Sequence, residues 1–320
     1  MRKWTITAFN APASMQTCPV PDPQPGEALV RIHACALNFA DLLMAEGSYQ
    51  ATPPLPFTPG LELAGEVVAL GPETPGPAPG TRVACYAGHG GLADYGCFPV
   101  AGLVPLPDGM PFDQASAFLI AYGTSHLALT HKARLQPGET LYVSGAAGGV
   151  GLTAVELGKR MGAKVIASAR GADKLAVARA AGADHLIDSD SPDLKDQLRA
   201  LGGVDVVYDA VGGPAFDAAL RATHPDGRVL CIGFASGEVP KVAANILLVK
   251  NISVIGFWWG GYASFAPRLM ADSLATLMGW YSQGGLRPHI SHHLPFEAFP
   301  EGLDLLRTRK ATGKVVITLV

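Results

Sequence analysis

Leu141-Tyr142-Val143-Ser144-Gly145-Ala146-Ala147-Gly148-Gly149-Val150-Gly151 runs from β-branched and aromatic residues through a cluster of small ones into an apparent helix, Leu152 to Met161. The order is strand, tight turn, helix start. A helix N-terminus offers unpaired backbone N–H groups and partial positive charge, so a pyrophosphate can rest there where no side chain blocks the approach. Gly148 permits that approach, and Gly151 lets the helix press against its strand. The stretch departs from Gly-x-Gly-x-x-Gly at its first position, where Ala146 stands. Taken alone it also reads as an ordinary strand-to-helix turn, and only the surrounding strand–helix–strand context lifts it above that.

That context continues. Lys164-Val165-Ile166-Ala167-Ser168 reads as a second strand. A dinucleotide fold places an Asp or Glu on the ribose 2′-hydroxyl roughly 20 residues beyond the glycines. Here the chain has Ser168-Ala169-Arg170, with Lys174 one turn further on. A carboxylate would repel a 2′-phosphate, whereas a hydroxyl, a guanidinium and an ammonium attract one. The pattern therefore predicts NADPH over NADH; the competing reading makes Arg170 and Lys174 solvated surface cations.

Downstream, helices over Ala172 to Ala181, Ser191 to Leu201 and Pro214 to Thr223 alternate with strands at His185 to Ile187, Val204 to Tyr208, Arg228 to Ile232 and Ile252 to Ile255. This spacing implies a doubly wound parallel sheet, whose ligands bind beyond the carboxyl ends of the strands. The loops after Ser168, Asp209, Gly233 and Phe257 should then surround the cofactor. Upstream, Trp4 to Thr7, Ala28 to Ala34, Leu63 to Leu70 and Thr81 to Cys85 are short strands among turns, as in a partly closed β-barrel. Asp113 to His131 reads as a helix pair leading to the next domain. A helix over Pro300 to Thr308 and a strand over Lys314 to Leu319 end the chain, the strand suited to return to the first domain.

A chain of 320 residues exceeds what one core usually serves. The expected division is 1–120 with 265–320, and 121–264. A net charge of −3 without a Lys/Arg cluster leaves no electrostatic footprint for nucleic acid or an anionic membrane. No apolar signal core follows Met1-Arg2-Lys3, so a cytoplasmic address is expected. The uncharged stretches Gln114 to His131 and Asn251 to Pro267 are interrupted by polar residues and fall short of about 20 apolar residues in a row, so both read as buried elements. Cys18, Cys35, Cys85, Cys97 and Cys231 show no Cys-x-x-Cys spacing and read as buried thiols.

Four motifs occur in order: Asn38-Phe39-Ala40-Asp41 followed by Gly47-Ser48-Tyr49; Pro59 to Gly65; Ala146 to Gly151; and Val207-Tyr208-Asp209-Ala210-Val211-Gly212. Together they resemble the medium-chain dehydrogenase/reductase superfamily, and within it the zinc-free, zeta-crystallin-like NADPH:quinone oxidoreductases. The resemblance spans nearly the whole chain. It implies an α/β fold with a Rossmann-type doubly wound sheet and a GroES-like, partly open β-barrel. Zinc-dependent relatives carry a Cys near the place of Asn38 and a His before the motif's glutamate, where Leu61 stands here. Their cysteine-rich loop is absent too, since only Cys85 and Cys97 lie between Val83 and Ala115. No metal is therefore expected. His289, His292 and His293 stand close together, but without a Cys or carboxylate set they read as solvated or capping residues.

Without a metal to polarise a carbonyl, hydride must go to an acceptor that is electrophilic already, a quinone or conjugated enone. The resemblance places Asn38 near the nicotinamide and acceptor. Tyr49 would line the same pocket, as proton donor or as aromatic wall. It puts Thr124 beside the nicotinamide, with Ala147, Gly148, Gly149 and Val150 at the pyrophosphate. Phe234, Phe257 and Trp258 should face the cofactor and Lys314 should approach it; interdomain packing is the alternative for Trp258 and Trp259. Two departures stand out: Ala45 replaces a common arginine, and Asp188 a tyrosine near the adenosine phosphate. The resemblance also implies a homodimer paired through Ile252 to Ile255. The competing functions are an enoyl or 2-alkenal reductase and a non-enzymatic NADPH-binding structural or RNA-binding protein.

Overall fold

The computed structural model describes residues 1–319. Strands β1 (Arg2–Thr5) and β2 (Ser14–Thr17) form a small antiparallel ribbon. Five further strands follow: β3 (Glu27–Leu37), β4 (Glu62–Leu70), β5 (Arg82–Tyr86), β6 (Tyr95–Pro99) and β7 (Leu103–Pro105). The long β3 is the spine of this part, with β4 along most of its length and β6 along its first half. Two irregularities, between Leu29 and Val30 and between Ile32 and Ala34, interrupt its register with β4. Such breaks bend a strand and let a sheet curl. Helix α1 (Phe39–Glu46) leaves the end of β3, and Gly47 stops it in the left-handed conformation at φ 74°.

Helices α2 (Phe112–Ser116) and α3 (Leu119–Leu127) lead into the second half of the fold. There β8 (Thr140–Ser144), α4 (Gly149–Arg160), β9 (Lys164–Ala169), α5 (Ala172–Ala180), β10 (His185–Asp188), α6 (Leu194–Ala200), β11 (Val204–Asp209), α7 (Gly213–Ala222), β12 (Thr223–Cys231), α8 (Ala244–Lys250) and β13 (Ser253–Gly256) alternate. Every ladder among these strands is parallel, in the order β10-β9-β8-β11-β12-β13. Helices cover both faces of such a sheet, so its inner strands bury nearly every side chain, as Leu141, Tyr142, Val143 and Ser144 do on β8. The order in which strands are added reverses between β8 and β11, where a doubly wound sheet opens its ligand crevice.

After α9 (Tyr262–Phe265) and α10 (Pro267–Ser282), β14 (Ile290–Pro295), α11 (Phe299–Arg307) and β15 (Lys314–Thr318) complete the chain. β15 lies antiparallel to β3 with Val315 opposite Leu37, so the terminal strand rejoins the first part. The mixed sheet runs β14-β15-β3-β4-β5-β7, with β6 as a further partner of β3. Its core is Val30, Ile32, Leu37, Leu63, Val83, Phe299 and Ile317 with their neighbours, whereas that of the parallel sheet centres on Tyr142, Ile166, Val207, Phe216 and Val229.

Two compact units result, Met1–Ile120 with Met278–Val320, and Ala121–Leu277. The second crossing falls inside α10, later than the 264/265 boundary read from the sequence. Eight elements, β2, α1, β6, β7, α8, α9, α10 and β14, lie outside the sequence reading. The helix read as Ser191 to Leu201 begins at Leu194, because Ser191, Pro192 and Asp193 form a turn closed by the Ser191 hydroxyl on Asp193. Asn251 to Pro267 is not the buried element expected: Trp258 and Phe265 are 43% and 69% exposed. Lack of charge is a poor guide here, because β13 is an edge strand of its sheet. Only Cys35 and Cys85 are buried thiols; Cys18 and Cys231, at strand ends, and Cys97, in the middle of β6, are half-exposed.

Candidate functional site

The glycine-rich turn has the geometry its residues suggest. Gly145 takes φ 62°, a conformation side chains disfavour, and so turns the chain off the end of β8. A Cβ on Gly151 would lie 2.2 Å from the Gly145 carbonyl oxygen, so only glycine permits this seating of α4. Gly148 is the N-cap and is exposed, and a Cβ there would find no protein atom nearer than 3.4 Å. The space above it is open to a ligand. The N–H groups of Gly149, Val150 and Gly151 form the first turn, where no carbonyl of the helix can accept them. These residues fit a dinucleotide pyrophosphate. Ala147 is buried beside them, and Thr124 is buried on α3.

Three hydroxyls hold this turn from behind. Ser125 Oγ donates to the Val150 carbonyl at 2.9 Å and lies 2.8 Å from Thr153 Oγ1 and 3.0 Å from the Tyr208 hydroxyl. Burial pushes the Tyr208 phenol well above its ordinary pKa, so it stays a neutral hydrogen-bonding group. At the crevice between β8 and β11 the Ser144 hydroxyl donates to Asp209, whose carboxylate also takes the Gly212 N–H at 2.9 Å. Burial raises the Asp209 pKa. Neither group was singled out from sequence; Asp209 could have been found from its place at the end of a strand in a recognised motif.

Ser168, the penultimate residue of β9, is buried. Arg170 does not stand alone: its Nε donates to Asp190 Oδ1 at 3.0 Å. Asp188 turns its carboxylate onto the backbone N–H of Asp190 at 3.0 Å and of Gly171 at 3.3 Å. The Arg170–Asp190 pair is mostly exposed, 62% and 61%, and such pairs contribute at most about 1 kcal/mol. A dianionic phosphate can displace Asp190 at that cost. Lys174 is half-buried in the first turn of α5.

The aromatic residues separate. Phe234 and Trp258 are 40% and 43% exposed, whereas Phe257 is 7% exposed with its ring 5.5 Å from that of Tyr262. The Phe257 N–H pairs with the Cys231 carbonyl at 3.1 Å, extending the β12–β13 ladder by one residue and turning this side chain into the core. Trp259 is buried too, its ring filling the space a Cβ would take on Gly123.

In the other unit Asn38 caps α1. Its carboxamide oxygen accepts from Lys314 Nζ at 2.6 Å, and its nitrogen donates to Glu62 Oε1 at 3.0 Å and to the Ala36 carbonyl at 3.4 Å. Lys314 Nζ also reaches Glu62 Oε1 at 2.8 Å, and Glu62 Oε2 accepts the Ile120 N–H at 3.0 Å. Both charged groups are buried. Beside them Asp41 accepts the N–H groups of Asn38 and Gly60 at 2.8 and 3.0 Å, and its pKa is pushed to about 7 by burial. Tyr49 packs with Tyr86 against Ile6, Met44, Phe57 and Leu61. Burial, with Tyr49 and Glu62 as lesser causes, raises the Tyr86 phenol to about 12. Asp41, Glu62 and Tyr86 were not assigned roles from sequence, because the burial that makes a carboxylate or phenol unusual is a tertiary property.

A zinc ion does not fit these residues. Leu61 is aliphatic and 2% exposed, and the Asn38 carboxamide is committed to Lys314, Glu62 and Ala36. His289 pairs with Thr312 at 3.0 Å, His292 with Ser291 at 2.8 Å and His293 with Asp113 at 2.9 Å, each with a different neighbour. Among the described residues no three His, Cys, Asp or Glu side chains group as a metal ion requires. Nor, among those residues, is any helix long and apolar enough to cross a membrane.

Residues 24–108 match the alcohol dehydrogenase GroES-like domain, and residues 149–275 match the zinc-binding dehydrogenase domain. The quinone oxidoreductase-like protein 2 homolog of Nematostella vectensis is 40% identical over 90% of this chain and 80% of its own. Prostaglandin reductase-3 of Bos taurus is 32% identical over 100% of this chain and 89% of its own. The crystal structure of the quinone oxidoreductase from Thermus thermophilus, also determined in complex with NADPH, superposes with a TM-score of 0.89 at 32% identity over the whole of both chains. The chain belongs to the medium-chain dehydrogenase/reductase family, with the quinone oxidoreductases as its relatives. It is an oxidoreductase of that family, although the aliphatic Leu61 stands in the place of a zinc ligand in its metal-dependent members.

Proposed function

We propose that this protein binds NADPH and passes its hydride to a quinone. One observation carries the reading: the turn at Gly148 leaves the N-terminus of α4 open to a pyrophosphate, while Leu61 and the engaged Asn38 carboxamide offer no metal to activate an acceptor. The NADPH complex of the Thermus thermophilus relative supports the cofactor. In this reading Ala147, Gly148, Gly149 and Val150 hold the pyrophosphate. Ser168, Arg170 and Lys174 take the 2′-phosphate, and Thr124, Phe234 and Trp258 line the nicotinamide. The cofactor supplies the hydride; the chain binds, orients and excludes water. Asn38 and Tyr49 attend the acceptor, whose arriving charge spreads into its own ring, so weak hydrogen bonding and positioning suffice.

A second reading, reduction of a conjugated carbonyl, draws on the prostaglandin reductase relative, which shows that this family includes reductases named for other acceptors. A cytoplasmic address and a homodimer joined through β13 belong to the same proposal. An acceptor panel decides: NADPH oxidation that depends on 1,4-naphthoquinone and outpaces a simple enone is expected. Turnover restricted to enones would transfer the assignment to the second reading, and ethanol oxidation would overturn both.

A further inference from the structure

At one end of the mixed sheet, four side chains from neighbouring strands fall in a row. Lys314 opens β15, Asn38 follows the last residue of β3, Glu62 opens β4 and Tyr86 closes β5. The register sets Val315 opposite Leu37, Ala36 opposite Glu62 and Glu62 opposite Tyr86. Asn38 is still extended, at φ −121° and ψ 156°, so alternation carries all four to one face.

Within this row the orientation of one amide is determined by charge. A lysine ammonium has only donors, so the group it meets at 2.6 Å must be the Asn38 oxygen. The nitrogen is then left to face the Glu62 carboxylate at 3.0 Å. Turning the amide over would set its NH₂ against the ammonium and its oxygen against the carboxylate, two repulsions in a site shielded from water. We propose that the Lys314–Glu62 ion pair is a positioning device that locks the Asn38 carboxamide for the acceptor. The inference rests on Asn38 being an acceptor-side residue, as proposed above. Two observations favour it over simple stabilisation. A buried ion pair is seldom more stabilising than an apolar replacement, so energy alone gives little reason to build one. And both members of the pair touch the same amide, one at each end. It also gives Lys314 a task different from contact with the cofactor.

The test compares Lys314→Met with the double variant Lys314→Met/Glu62→Gln. The single change leaves a buried carboxylate without its cation and is expected to lower Tm. The double change removes both charges, and the glutamine that replaces Glu62 retains an oxygen for the Ile120 N–H. The nitrogen of that new side chain then faces Asn38, and the amide must turn over. The expected result is a Tm restored toward that of the wild type, an unchanged Kd for NADPH, and a kcat for quinone reduced roughly tenfold or more with less effect on KM. Full kcat at restored Tm would overturn the inference, and so would weakened NADPH binding as the main loss. A crystal structure of the double variant, at a resolution that separates amide nitrogen from oxygen, decides independently of activity. An inverted Asn38 supports the inference, and an unchanged one overturns it. A wild-type enzyme that reduces neither quinones nor enones would defeat the proposed function, while the crystallographic result would still decide whether the ion pair orients Asn38.

Discussion

Asp41 holds its carboxyl where water does not reach, with two backbone N–H groups against it. Burial raises its pKa from 3.8 to about 7, so the folded chain keeps a proton that the unfolded chain releases between these values. The stabilisation from this group is therefore complete below about pH 4 and lost as the pH rises through about 7. Thermal unfolding at pH 5 and pH 7.5 should show a steeper decline for the wild type than for Asp41→Asn; equal declines would count against a raised pKa. Tyr49 should reveal its role through its hydroxyl alone: Tyr49→Phe is expected to lower turnover at least about tenfold if the phenol donates a proton. Unchanged turnover would leave it as a pocket wall. At Arg170, removal of the guanidinium should raise KM for NADPH roughly tenfold, about 1.4 kcal/mol, with little change for NADH. An equal rise for both nucleotides would remove Arg170 from the 2′-phosphate. Neither the burial of Asp41 nor the Asp190 partner of Arg170 could be read from the chain, since each depends on what the fold brings alongside.

Among the elements, α4 was legible because its requirements are local. Gly145 turns the chain, Gly148 caps the helix and Gly151 admits the Gly145 carbonyl, all within one short stretch of chain. Gly151→Ala would force a methyl group against that carbonyl, and overpacking of this kind costs about 1 to 3 kcal/mol. We expect a lowered Tm together with weakened NADPH binding in a fluorescence titration; an unperturbed variant would show that α4 can shift without loss. The elements that escaped the sequence reading have less distinct local signals. Helix α8 exposes Leu248 and Val249 at 80% each, which breaks the rule that apolar residues mark a core. β14 carries His292 and His293 in place of strand-forming apolar residues and is held by its pairing with β15. Phe257 and Trp258, adjacent in sequence, end on opposite sides of the burial divide because strand alternation separates them.

For the whole molecule, β13 is one of the two edge strands of the parallel sheet, with Val254 and Ile255 half-buried. An open apolar edge invites a second strand. Light scattering at micromolar concentration should give twice the chain mass, and Val254→Pro, which removes a ladder donor, should reduce it to one; a wild-type monomer would defeat the proposed dimer. The order of strands and helices was determined by the sequence itself. Periodicity and turn residues act over a few positions, and the glycine-rich turn states its geometry in its own residues. The network of Lys314, Asn38, Glu62 and Asp41 was decided only by the tertiary structure. Its members come from parts of the chain as much as 276 residues apart, and their charge states and partners depend on a burial that no local pattern encodes.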